Sequence, residues 1–335
     1  TSYDTSKINA AYSKVVEYYK NNNNLNNADK ILAVESLGLE AESNQFDTSS
    51  ANLSSTSLSK KIVTEVLLGV DPIKDKETLE SQIDENGNVE GSWGASSDVW
   101  TLYALYVTSS EKTNLIANKL NDELAASSVC GYEWGGTYYA DYDTTGWVIE
   151  GLAVVNKEKY ATTINKAIDY IKNNTTMTTT GWVTADNVDT QSQVLEGMFA
   201  YDTNALLNDS YTVHPVDCLL NTQLSDGSFP SGYNAEYTTA EVAKTLGTYK
   251  NGSVIIKAKK AYDKMMNPEQ PDNTKPAQPT DTKKDSQSTN KVETTNQKTT
   301  SVKTGDETNV VIFVSLSMVS GGLFLVLRKE YERVH

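Results

Sequence analysis

Two stretches, DTTGWVIEGL at 143–152 and DTQSQVLEGM at 189–198, repeat one phrase at an interval of 46 residues. Each opens on Asp-Thr, carries an adjacent aliphatic pair and closes on Glu-Gly and a long aliphatic residue. Asp143 and Asp189 stand where a helix N-cap belongs, and the aliphatic residues that follow recur at helical spacing. Weaker copies align on the terminal Leu: ADKILAVESL (28–37), SKKIVTEVLL (59–68), SSDVWTLYAL (96–105) and YTTAEVAKTL (237–246). Six copies therefore predict six helices of one kind. Between them lie amphipathic stretches with a charged face, within 7–20, 76–83, 112–126, 158–174, 214–223 and 253–266, which predict six surface helices. Units of this length, each one helix pair, bury their faces only against their neighbours, and six pairs can close into a ring.

Four copies follow a Gly and aromatic turn: EGSWGA, EWGGTYY, TTTGWVT and SDGSFPSGY. The stretch QLSDGSF (223–229) follows a Gln-x-x-x-Gly-x-aromatic pattern, and QIDENGNVEGSW (82–93) is a stretched form of it. In these motifs residues 5–266 resemble the α/α toroids of squalene-cyclase and prenyltransferase repeats. The resemblance implies an all-α fold, an (α/α)6 toroid of six inner and six outer helices.

Within each phrase the residues at positions one, five and eight share a helical face. Turned toward a central bowl, that face presents Glu35, Val66, Tyr103, Glu150, Glu196 and Lys244 in one layer. Trp100, Trp147, Gln193 and Glu241 lie a turn earlier, with Tyr237 at the mouth. The expected ligand-binding residues are therefore Glu35, Trp100, Tyr103, Trp147, Glu150, Gln193, Glu196, Tyr237, Glu241 and Lys244. The small residues Ser36, Ala104, Gly151, Gly197 and Thr245 share the next phase and allow close helix approach. A competing expectation is a satisfied polar network, with Lys244 pairing Glu196 across neighbouring helices, because charges are seldom buried unpaired.

The chain has 44 acidic and 29 basic residues, a formal charge of −15. Acidic and basic residues balance at nine each over 267–335, so the excess belongs to the preceding domain. That field repels nucleic acid and anionic lipid, and no nucleic-acid partner is expected. Only Cys130 and Cys218 occur, too few for a disulfide framework or a structural zinc site. Neither a metal nor a cofactor is expected. HPVDC (214–218) combines the ligand types of prenyltransferase zinc without a fourth ligand. ADYDTT (140–145) lacks the adjacent Asp pair of a cyclase proton donor, and CGYE (130–133) carries Glu133 where a thioester needs Gln.

Beyond the domain at 1–266, residues 267–303 are rich in Pro, Thr and Lys and predict a disordered spacer. Residues 310–327 carry no charge over 18 positions and precede Arg328, Lys329 and Arg333, a pattern that predicts a transmembrane helix with a cytoplasmic end. The order of spacer, Thr304-Gly305, apolar span and basic end over 304–335 resembles the sorting signal of Gram-positive surface proteins. It implies sortase cleavage between Thr304 and Gly305 and linkage to peptidoglycan, although Ser301 and Val302 stand where Leu and Pro are usual. Thr1 in place of Met suggests a processed product.

The function expected is that of a cell-surface, wall-anchored or single-pass module. It binds an extracellular glycan, peptide or small molecule in an acidic, aromatic bowl without turnover. The alternative is a glycoside hydrolase or lyase using Glu150 and Glu196, since neighbouring helices bring carboxyls to the ~6.5–9.5 Å separation of inverting enzymes. A terpenoid-cyclase or prenyltransferase activity is the remaining alternative.

Overall fold

The computed structural model describes residues 2–42, 53–182 and 187–268. In chain order these form α1 (Ser6–Asn21), α2 (Ala28–Ser36), α3 (Ser55–Leu67), α4 (Ile73–Ser81), α5 (Ala95–Val107) and α6 (Thr113–Ser127). A hairpin follows, β1 (Cys130–Trp134) and β2 (Thr137–Asp141), and then α7 (Tyr142–Asn174), α8 (Val188–Asn208), α9 (Pro215–Leu220), α10 (Ala235–Asn251) and α11 (Val254–Met266).

The all-α expectation with six inner and six outer helices is corrected on two points. Among the described residues there are eleven helices, and a two-stranded antiparallel sheet interrupts them. No helix among the described residues is long and apolar enough to cross a membrane. The expected transmembrane segment at 310–327, the sorting site Thr304-Gly305 and all but the first residues of the spacer lie outside the described residues.

Local chemistry explains where the helices start. Asn27, Ser54, Asp141, Asn234 and Ser253 each accept a backbone N–H of the following first turn through their side chains, satisfying donors that helix geometry leaves free. The same chemistry divides the two long helices. Asn156 has non-helical backbone angles inside α7, and its Oδ1 accepts the Lys159 amide at 3.0 Å. Asp202 does the same inside α8, accepting the Ala205 amide at 2.9 Å. Each is thus a short polar side chain that ends one helix and caps the next, which is why α7 merges two of the expected helices.

Packing follows a circuit. α2 contacts α3, α3 contacts α5, α5 contacts the first half of α7, α7 contacts α8, α8 contacts α10, and α10 returns to α2. α7 and α8 approach backbone to backbone. A Cβ on Gly146 would lie 2.5 Å from the Gln193 carbonyl oxygen, and one on Gly197 would lie 2.3 Å from the Gly146 oxygen. α4 and α6 lie outside the ring helices they follow, and α9 contacts α1 and α8. α11, expected on the outside, contacts α2, α3, α5 and α10 together, so it closes the end of the ring at which α2 and α10 terminate. The circuit is also tied at its seam: Gln223 Nε2 donates to the Ala11 and Gly227 carbonyls at 3.1 and 3.0 Å, joining the 223–229 turn to α1.

Candidate functional site

The residues expected to line a bowl come together, and they are buried. Tyr103 on α5 donates from its hydroxyl to the Trp147 carbonyl at 2.8 Å and to Glu150 Oε2 at 3.2 Å. Ser253, the N-cap of α11, donates to Glu150 Oε1 at 2.6 Å. Lys244 on α10 lies 3.1 Å from Glu241 and 3.9 Å from Glu196, and Thr248 donates to Glu196 Oε1 at 3.2 Å. One turn toward the mouth, the rings of Trp100 and Trp147 meet edge-on at 5.8 Å. Gln193 Nε2 donates to the Tyr237 hydroxyl at 3.3 Å. Glu35 stands at the far end, its Oε2 2.6 Å from Lys257 of α11 and its Oε1 accepting the Ala41 amide at 2.9 Å.

Exposure decides what this set can do. Glu150 is 3 % exposed, Glu196 1 % and Glu241 0 %. The interior is a buried polar core: the fold engages several of its groups, while Trp147 Nε1, Gln193 Oε1, Glu196 Oε2 and Glu241 Oε2 have no hydrogen-bond partner among the described residues. One participant was not legible in the phrase: Lys60 of α3 reaches inward, with Nζ 4.5 Å from the Trp100 ring centroid and 2.9 Å from Asp29 Oδ1. Its position in the 59–68 copy is one step from the lining phase, and only the length of the lysine stem brings it in. Conversely, Val66 at the lining phase of that copy contributes apolar packing.

The electrostatics follow from this burial. Desolvation and then the neighbouring Glu150 push the Glu196 carboxyl well above the usual range. Desolvation also raises Glu150 and Glu241. Burial alone would lower the Lys244 ammonium, but Glu241, Glu196 and Glu150 outweigh it and hold its pKa above the ordinary value. Nearer the mouth, burial followed by Asp141 and Asp189 raises Asp143 well above the usual range. Burial lifts Asp141 to about 6 against the hydrogen bonds it accepts from Thr144. Asp189 accepts the Tyr233 hydroxyl at 2.8 Å.

These shifts carry a sign. Carboxyls with raised folded pKa values bind more protons folded than unfolded, so their contribution to stability is complete below the ordinary value of 4.5 and is lost as pH rises through the folded values. Lys244 titrates above 10.5 and stays charged throughout that window. The expected result is a melting temperature ~5 °C lower at pH 8 than at pH 5.5, with a flatter dependence in Glu196→Gln. Calorimetry of both proteins across pH 5–8 measures it, and a wild-type melting temperature that climbs toward pH 8 contradicts it.

The other motif residues have structural partners. His214 caps α9, with Nδ1 accepting the Val216 amide at 3.2 Å, and its ring lies between Tyr3 and Tyr211 at 4.4 and 4.8 Å. Cys218 donates from Sγ to the Thr180 carbonyl at 3.4 Å, and Cys130 is buried on β1. Both thiols are free.

A surface feature was not legible as a site. Trp93, in the loop before α5, and Trp134, at the end of β1, are 40 % and 36 % exposed, with ring centroids 5.2 Å apart and planes inclined at 40°. The EWGGTYY stretch that the sequence offers as a turn is a hairpin: Gly135 and Gly136 both take positive φ, 55° and 77°, in a two-residue loop of the primed kind. Cross-strand register pairs Trp134 with Thr137 and Tyr132 with Tyr139, so these four share a hairpin face and the two tyrosine rings stack at 5.5 Å. Tyr138 takes the opposite face, its hydroxyl donating to Glu123 at 3.0 Å. The available signal was the alternation of aromatic residues about Gly-Gly. Comparison of the chain with protein-family models, with characterised proteins and with solved structures gave no match.

Proposed function

We propose that the chain is a cell-surface ligand-binding module that acts without turnover, with its recognition surface outside the helical ring. The carrying observation is the burial of Glu150 and Glu196. A hydrolase needs two carboxyls flanking a scissile bond, with space for the sugar and, in inverting enzymes, for a water between them. Here each carboxyl is enclosed and at least one of its oxygens is engaged by a residue of the fold, Tyr103 and Ser253 on Glu150 and Thr248 on Glu196. The ring is then a rigid scaffold, and its exposed aromatic residues are the contact surface.

Presentation at the surface is part of the same proposal, through the sorting signal at Thr304-Gly305 and a spacer that holds the domain away from the wall. Product detection on neutral oligosaccharides tests the absence of turnover. The expected result is no product from wild type, and hydrolysis abolished by Glu196→Gln would overturn the reading. Thr304→Ala is expected to convert a wall-linked protein into a detergent-extractable one; equal extraction of both forms from protoplasts would remove the sorting step.

A further inference from the structure

We infer that Trp93 and Trp134 form a stacking platform for the pyranose rings of a neutral glycan, an inference that rests on the reading of the chain as a binding module. The platform is held rigidly. The Trp93 amide donates to Ser97 Oγ at 3.1 Å, and its carbonyl accepts the Glu133 amide at 2.7 Å, locking the loop before α5 onto β1. The base of the hairpin is fixed in turn to α7, because the Cys130 amide donates to Thr145 Oγ1 at 2.9 Å. Two indoles are therefore fixed side by side by backbone hydrogen bonds yet left uncovered, while Trp100 and Trp147 inside the ring are almost wholly buried.

Size and charge select the ligand. At these exposures each indole offers ~100 Å² of surface. Their sum is well below the ~800 Å² per partner of a stable protein interface, and it suits a small ring-shaped group. A chain with a net charge of −15 disfavours phosphorylated or uronic ligands. A pyranose presents an apolar face of C–H groups to an indole and hydroxyls at its edge. Thr137, cross-strand from Trp134 and on the same hairpin face, supplies a hydroxyl that both donates and accepts.

The test titrates the full chain with cellotetraose, maltotetraose and N-acetylchitotetraose, following tryptophan fluorescence and binding heat. At least one tetraose should saturate. Trp134→Ala and Trp93→Ala should each weaken it about tenfold, Trp134→Phe should retain most of the affinity, and Tyr138→Ala on the other hairpin face should leave it unchanged. Failure of all three sugars to bind overturns the glycan assignment. Binding that both alanine variants retain overturns the platform while leaving the binding-module reading intact. Release of shorter sugars by wild type overturns the absence of turnover, and the platform then stands if the tryptophan dependence is seen. Self-association of wild type that is abolished by Trp134→Ala assigns the indoles to a second copy and overturns the inference.

Discussion

Lys244→Met is expected to lower the melting temperature by about 10 °C at pH 8, and by clearly less at pH 5.5. Lys244 is the cation among Glu196, Glu241 and Glu150, and all four side chains are buried. Removing one partner of a buried charge pair costs about 3–5 kcal/mol, because the charge left behind has lost its solvent and its counter-ion. For a domain of this size each kcal/mol shifts the melting temperature by about 2–4 °C. The carboxyls can escape part of that cost by taking up protons, and acid makes uptake easier, hence the smaller loss at low pH. The double variant Lys244→Met with Glu241→Gln should recover part of the loss, since the two residues are in contact and their effects do not add. Calorimetry of the two variants at both pH values measures this. A loss independent of pH would mean that Lys244 contributes through its stem alone.

The second large effect is steric. Gly197→Val should destabilise the fold by more than about 3 kcal/mol, or prevent folding, because its Cβ would lie 2.3 Å from a backbone oxygen of α7 that cannot move without separating the helices. Gly151→Ala should cost about 1 kcal/mol or less: the atoms nearest its Cβ belong to side chains, Leu102 and Tyr103 at 3.2 Å and Val99 at 3.4 Å, and need give by only a few tenths of an ångström. Chemical denaturation of the two variants separates these outcomes, and equal losses would contradict the backbone-to-backbone approach of α7 and α8.

That pair also shows how far the phrase could be read. Gly151 and Gly197 occupy the same place in the two copies, and the sequence treats them alike. Which glycine faces a neighbouring backbone depends on how far each helix is rotated in the ring, and periodicity fixes that rotation only to a face. The layering itself was legible. Positions five and eight of the copies do meet across helices, as Trp100 with Trp147, Tyr103 with Glu150 and Glu196 with Lys244. Their accessibility was not legible, because α11 closes one end of the ring. Its amphipathic pattern suits an outer helix equally well, and nothing local in it encodes contact with four others. The hairpin was missed for a related reason. Its alternation spans only five residues on each side of Gly-Gly, too short to compete with the helical period around it. Cross-strand register then places the adjacent Tyr138 and Tyr139 on opposite faces of it.

Hydrogen exchange of the indole N–H groups, followed by NMR in the full chain, tests the closed interior most directly. A filled ring predicts that Trp100 and Trp147 exchange orders of magnitude more slowly than Trp93 and Trp134, because the first two open to water only through rare unfolding. Exchange of Trp147 as fast as Trp134 would mean that the ring holds an open, wetted bowl, and the carboxylates within it would again be available to a ligand.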